Sequence, residues 1–235
     1  MNENQVSQFP PKSLQALATD FDGTLAHNGM VSASTLSALQ RLKEAGFKLI
    51  LVTGRELSDL MSIFPELSMF DLAVMENGAV LFHPDTGTLE ALAAPPPTEF
   101  VARLHERGLP LQIGEAIVAT WEPHEVEVLK AIKDMGLELQ VIFNKGAVMI
   151  LPSGVNKATG LREALRQLGL TPDRVAGIGD AENDHAFLEL CGYSVAVANA
   201  LPVIREKVDF VTSADHGDGV TELIARLLEN SEPQP

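Results

Sequence analysis

The chain has 235 residues, 46% of them hydrophobic and 21% charged, enough to bury a core as one large domain or two small ones. A formal charge of −15 leaves no basic face for nucleic acid or an anionic membrane. No apolar run reaches the ~20 residues of a spanning helix, no secretory signal opens the chain, and its single cysteine excludes an internal disulfide, so the expected location is the cytoplasm.

Residues 14–19 form a largely apolar run that ends at Asp20 and reads as a buried strand. Residues 32–45 carry Leu36, Leu39 and Leu42 at helical spacing, with Gly46 as the stop. A second apolar run, 47–52, is halted by Thr53-Gly54-Arg55. Runs at 72–75 and 79–82 flank Asn77-Gly78, a hairpin signal because both residues tolerate positive φ. Strand–helix alternation with buried strands predicts a doubly wound, Rossmann-like α/β core.

The rhythm changes near His83. Asp85-Thr86-Gly87 is a turn, and Ala94-Pro95-Pro96-Pro97 breaks any regular element. Residues 98–107 and 125–135 read as helices. Residues 111–121, 138–143 and 147–151 read as strands, the last two joined at Asn144-Lys145-Gly146. The expectation is an inserted α+β domain over residues 84–153, between core segments 1–83 and 154–235. Trp121 is expected in that insert's own core, the alternative being its inner face. The α/β rhythm then resumes: helix 156–168, strand 174–178 running into Gly179-Asp180, helix 182–190, strands 194–198 and 208–211, helix 217–228. Cys191 falls late in a helical pattern and reads as a buried structural thiol.

The chemistry gathers at strand ends. Asp20-Phe21-Asp22-Gly23-Thr24-Leu25 follows the first strand directly, and ligands of open α/β sheets sit at such carboxyl ends. A plain Asx-type turn is the competing reading. Thr53 and Gly54 end the second strand, where a hydroxyl and helix-opening N–H groups suit a phosphate, unless Thr53 simply caps a helix. Lys157 stands near a helix start, where a cation opposes the macrodipole. Gly179-Asp180-Ala181-Glu182-Asn183-Asp184 sets two carboxylates around a strand-to-helix turn. Asp20, Asp22, Asp180 and Asp184, with no His or Cys among them, describe a hard-cation site suited to Mg2+ rather than zinc.

In this order and spacing, the four stretches resemble the four motifs of the haloacid-dehalogenase-like (HAD) phosphatases. Met75-Glu76-Asn77-Gly78-Ala79 and residues 152–157 resemble the Cof-type branch, whose α/β cap lies between the second and third motifs. Ala158 departs from relatives that often carry Gly there. The resemblance implies that Asp20 attacks phosphorus and becomes an aspartyl-phosphate, while Asp22 protonates the leaving alcohol and then activates water. It implies phosphoryl contacts from Thr53, Gly54, Lys157 and Asn183. It also implies Mg2+ on Asp20, Asp180, Asp184 and the Asp22 backbone carbonyl.

The activity expected from this resemblance is hydrolysis of a small-molecule phosphate ester, a sugar phosphate first and phosphoglycolate second. The expected state is a monomer or small homo-oligomer with no nucleic-acid or membrane partner. A phosphomutase of the same superfamily is the nearest rival. A receiver-type signalling module also phosphorylates an aspartate at a strand end, but it has no use for Asp22 or an inserted domain. Lys145, at a hairpin turn of the insert, is a candidate to reach the substrate.

Overall fold

The computed structural model describes residues 10–144 and 146–230, so the N-terminal stretch to residue 9, Lys145 and the tail from residue 231 lie outside it. Strand β1 (Ala16–Asp20) is buried at every position because both faces of its sheet are covered. Helix α1 (Ala33–Glu44) begins where the Ser32 hydroxyl accepts the Thr35 N–H, and it turns Ala38, Leu39 and Leu42 inward. The chain returns as β2 (Lys48–Val52), parallel to β1, and passes through α2 (Leu57–Ile63) into β3 (Leu72–Met75). Asn77 and Gly78, at φ 53° and 98°, then reverse it into antiparallel β4 (Val80–His83), as the Asn-Gly pair predicts. Strand β5 (Thr88–Ala91) still pairs with β4, so the edge expected for the insert at residue 84 falls inside this sheet's last hairpin.

Next come α3 (Thr98–Glu106), β6 (Gln112–Ile113), β7 (Val118–Trp121), α4 (Glu125–Met135), β8 (Leu139–Asn144) and β9 (Ala147–Pro152). The four strands make an antiparallel sheet in the order β6-β7-β9-β8. The single strand expected over 111–121 is two strands joined by a turn, because the 115–117 amides bond to a side chain instead of a ladder. On one face, the paired Val118 and Ile150 pack against Phe100 and Leu104 of α3 and Val128 and Ala131 of α4. Strand alternation sends Ala119 and Trp121 to the other face. Trp121 is therefore 45% exposed and lines a cleft, not a core as expected.

Helix α5 (Lys157–Leu168) leads into β10 (Val175–Gly179), α6 (His185–Leu190), β11 (Tyr193–Ala196), α7 (Pro202–Arg205), β12 (Phe210–Val211) and α8 (His216–Asn230). The large sheet runs β12-β11-β10-β1-β2-β3-β4-β5, parallel except where β4 and β5 join. From β1 the chain builds outward on one side through β2 and β3, then on the other through β10. That reversal opens a crevice at the carboxyl end of β1. The Cys191 thiol packs on Gly177, and burial pushes its pKa up, as befits a structural cysteine. No described helix is long and apolar enough to cross a membrane.

Candidate active site

Strand register brings three motifs together. Asp20 pairs with Val52 and Thr19 with Ile178, so Thr53 flanks Asp20 on one side and Gly179-Asp180 on the other. Asp20, Asp180 and Asp184 are all buried, and one carboxylate oxygen from each lies within 4.8 Å of the others. Lys157 Nζ donates to Asp20 Oδ1 and to Asp184 Oδ1, both at 2.6 Å. Asp184 Oδ2 accepts the Asp180 and Ala181 N–H groups at 2.8 and 2.9 Å, and the Thr24 hydroxyl donates to Asp180 Oδ1 at 3.3 Å. Lys157 arrives as the first residue of α5, whose capping box of Asn156 and Thr159 fixes the helix start. The two carboxylates hold the ammonium where the macrodipole alone would not.

Three carboxylates face one ammonium in a buried setting rich in oxygen donors. A divalent hard cation fits that donor set. Burial raises the Asp20 pKa, Asp184 and Asp180 add to the rise and Lys157 opposes it, the outcome being about 8. Burial disfavours the Lys157 ammonium, but Asp184 and Asp20 outweigh it and hold its pKa above the ordinary lysine range. Lys157→Met should therefore leave buried carboxylates facing one another. Its unfolding free energy in metal-free buffer should fall by about 3–5 kcal/mol, the scale of a broken buried ion pair. Urea denaturation with and without Mg2+ measures this, and an unchanged midpoint would contradict the charge balance.

Of the four carboxylates expected around the cation, three meet. That of Asp22 is turned to Arg55, which grips it through Nε and Nη2 at 2.6 and 2.8 Å and reaches Asp59 Oδ2 through Nη1 at 2.5 Å. Thr53 is not a helix cap, because α2 starts beyond Glu56. Its hydroxyl accepts the Arg55 N–H at 3.1 Å. Gly54 packs on the Asn77 amide, and Asn183 Nδ2 donates to Asn77 Oδ1 at 3.1 Å. Asp20, Asp22, Gly54, Arg55 and Lys157 line one side of a cleft of about 190 Å³. The second sheet lines the other side with Ile117, Ala119, Trp121, Asn144 and Met149.

Sequence reasoning missed Thr24 as a partner of Asp180, Arg55 as the partner of Asp22, and Glu76. The signal for Glu76 was present: a carboxylate directly after a buried apolar strand, the same pattern that singles out Asp20.

A family model described as haloacid dehalogenase-like hydrolase matches residues 17–107 and 122–224. The chain belongs to that family. A phosphoglycolate phosphatase of Methanothermobacter thermautotrophicus is 33% identical to this HAD-like hydrolase over 226 residues, covering 92% of this chain and 99% of the relative. A haloacid dehalogenase-like hydrolase from Bacteroides thetaiotaomicron shares the fold with a TM-score of 0.79 at 20% identity, over 91% of this chain and 99% of that one. A HAD subclass IIB sugar phosphatase does so with a TM-score of 0.73 at 20% identity, over 90% and 98%. The family match and this sequence relative together make the chain a HAD-like phosphatase, a phosphoric monoester hydrolase.

Proposed function

We propose that this phosphatase is magnesium-dependent and hydrolyses a small phosphorylated metabolite through an aspartyl-phosphate on Asp20. The observation that carries this reading is the Asp20 carboxylate itself: it ends the central strand, lines the cleft and is salt-bridged to Lys157. Similarity to the Methanothermobacter phosphoglycolate phosphatase over almost the full length of both chains favours phosphoglycolate over a sugar phosphate as the first ester to assay.

In the proposed reaction an Asp20 oxygen attacks phosphorus. The ester P–O bond breaks, its electron pair stays on the alcohol oxygen, and Asp22 gives that oxygen a proton. Water that has lost a proton to Asp22 then attacks the aspartyl-phosphate, releasing inorganic phosphate and restoring Asp20. Both Asp22 oxygens are engaged by Arg55, so proton delivery requires the carboxylate to exchange Arg55 for the leaving oxygen. Lys157, the Thr53 hydroxyl, the Gly54 N–H and Asn183 hold the phosphoryl oxygens. Asp20, Asp180, Asp184 and the Asp22 carbonyl would hold Mg2+, which when bound neutralises charge on the phosphoryl group. Residues 92–153 act as the cap in this reading, and every proposed phosphoryl and metal group lies outside them. Choice among alcohols thus falls largely to the cap.

Inorganic phosphate release from a panel of monoesters with Mg2+ tests the proposal. Transfer to a second hydroxyl without phosphate release would mark a phosphomutase instead. Asp22→Ala should lower turnover of alkyl phosphates by ~10²–10⁴ and that of aryl phosphates much less, because a good leaving group needs little protonation. An equal loss on both esters would remove Asp22 from acid catalysis.

A further inference from the structure

Glu76 follows the four buried residues of β3 and is itself buried, with its backbone in the left-handed region at φ 51°. A non-glycine residue stays there only where its surroundings over-determine it. What holds Glu76 is a set of three successive amides from the turn between β6 and β7. Its Oε1 accepts the Glu115 N–H at 2.8 Å, and its Oε2 accepts those of Ala116 and Ile117 at 2.8 and 3.0 Å.

The turn is built around this carboxylate, since a Cβ on Gly114 would lie 2.6 Å from Oε1. Burial penalises the charge, and the three amide bonds work against that penalty. Gly114 and Ile117 line the reaction cleft, and Gln112, just before the turn, donates to Glu56 Oε1 at 2.7 Å. A charged group of the large sheet thus clamps the part of the second sheet that roofs the chemistry.

We propose that Glu76 is a positioning residue: its carboxylate fixes the 114–117 turn, and so sets the second sheet's placement over Asp20 and Asp22. Its side-chain hydrogen bonds run to the turn's amides and its backbone N–H donates to the Arg55 carbonyl at 3.1 Å, none of them a group proposed to hold phosphoryl or metal. Losing the carboxylate loosens the roof, while the contacts of Asn77 and Gly78 with Thr53, Asn183 and Asn156 involve other groups and remain. An ester whose alcohol part depends on the roof suffers, and one that needs only the phosphoryl site does not. Only the kinetic half of this idea rests on the phosphatase reading.

The test compares full-length wild type with Glu76→Gln and Glu76→Ala by amide hydrogen exchange and by kinetics on 2-phosphoglycolate and p-nitrophenyl phosphate. Glutamine keeps the shape but turns an NH2 group toward N–H donors. Exchange over residues 113–118 should accelerate at least about tenfold, the scale of losing charge-assisted hydrogen bonds, with β1 unchanged. KM for phosphoglycolate should rise by a comparable factor while kcat/KM for the aryl phosphate stays near wild type. Unchanged exchange over 113–118, equal acceleration in β1, or one common loss on both esters overturns the proposal. If wild type hydrolyses neither ester, the functional reading fails, and the exchange measurement alone decides the role of Glu76. Should Glu76→Ala not fold, Glu76→Gln supplies the same readouts.

Discussion

Asp20→Asn should leave the enzyme folded and cut phosphate release to near background, a loss on the order of 10⁵ or more if Asp20 is the covalent nucleophile. The amide keeps the carboxylate's shape but offers no attacking charge. Retention of more than a few per cent of wild-type turnover would remove Asp20 from this role.

The same variant tests the electrostatics independently of catalysis. Burial and the Asp184 and Asp180 carboxylates push the Asp20 carboxyl up to about 8 despite Lys157. A carboxyl raised in the fold lends stability that is fully present below its unfolded pKa of ~3.9 and is lost as pH climbs through the folded value. Metal-free wild type should therefore lose stability from about pH 4 toward about pH 8 on this account, and Asp20→Asn should lose less. Thermal unfolding in chelator at pH 5 and pH 8 measures this. A Tm at pH 8 clearly below that of wild type would contradict the account.

Chelation of divalent ions should abolish turnover, and added Mg2+ should restore it. The donors that meet are carboxylate oxygens, three carboxyl groups to the one ammonium of Lys157. Because the ion would bind the folded state, Mg2+ at 100 times its Kd should add about 2.7 kcal/mol of stability. Ca2+ should rescue poorly, since its larger and looser coordination shell shifts the nucleophile out of line. Full activity in excess chelator would sink the metal assignment, and rescue by zinc alone would sink the argument from hard oxygen donors.

The parts of this molecule legible in its sequence are those whose signals are local. Strands β1, β2 and β10 announce themselves as apolar runs because both sheet faces are covered, and Asp20 and Asp180 stand where those runs stop. Helix α1 follows from the apolar spacing of Leu36, Leu39 and Leu42 and from Gly46 just past its end, at positive φ. Strand β5 gave no such signal: it lies at the sheet edge and is largely exposed, so no alternation marks it. Pairings across long sequence distances were equally silent. Arg55 meets Asp22 from 33 residues away, and Glu76 meets the second sheet's turn across 39 to 41 residues. Neither contact changes the local pattern on which a reading of the sequence depends.

The turn at residues 76–78 touches most of the segments that build the site. The Asn77 N–H donates to the Thr53 carbonyl at 3.0 Å, and the Asn77 side chain meets Asn183 and Met149. Gly78 lies so close to the Asn156 carbonyl that a Cβ would come within 2.0 Å of it, one residue before Lys157. With Glu76 on the second sheet, four separate pieces of chain share one small fixture. Anchored to one turn, these pieces have their mutual distances set by it. Where a misplacement of about 1 Å can cost roughly 10²-fold in rate, one shared anchor fixes the alignment on which the chemistry depends.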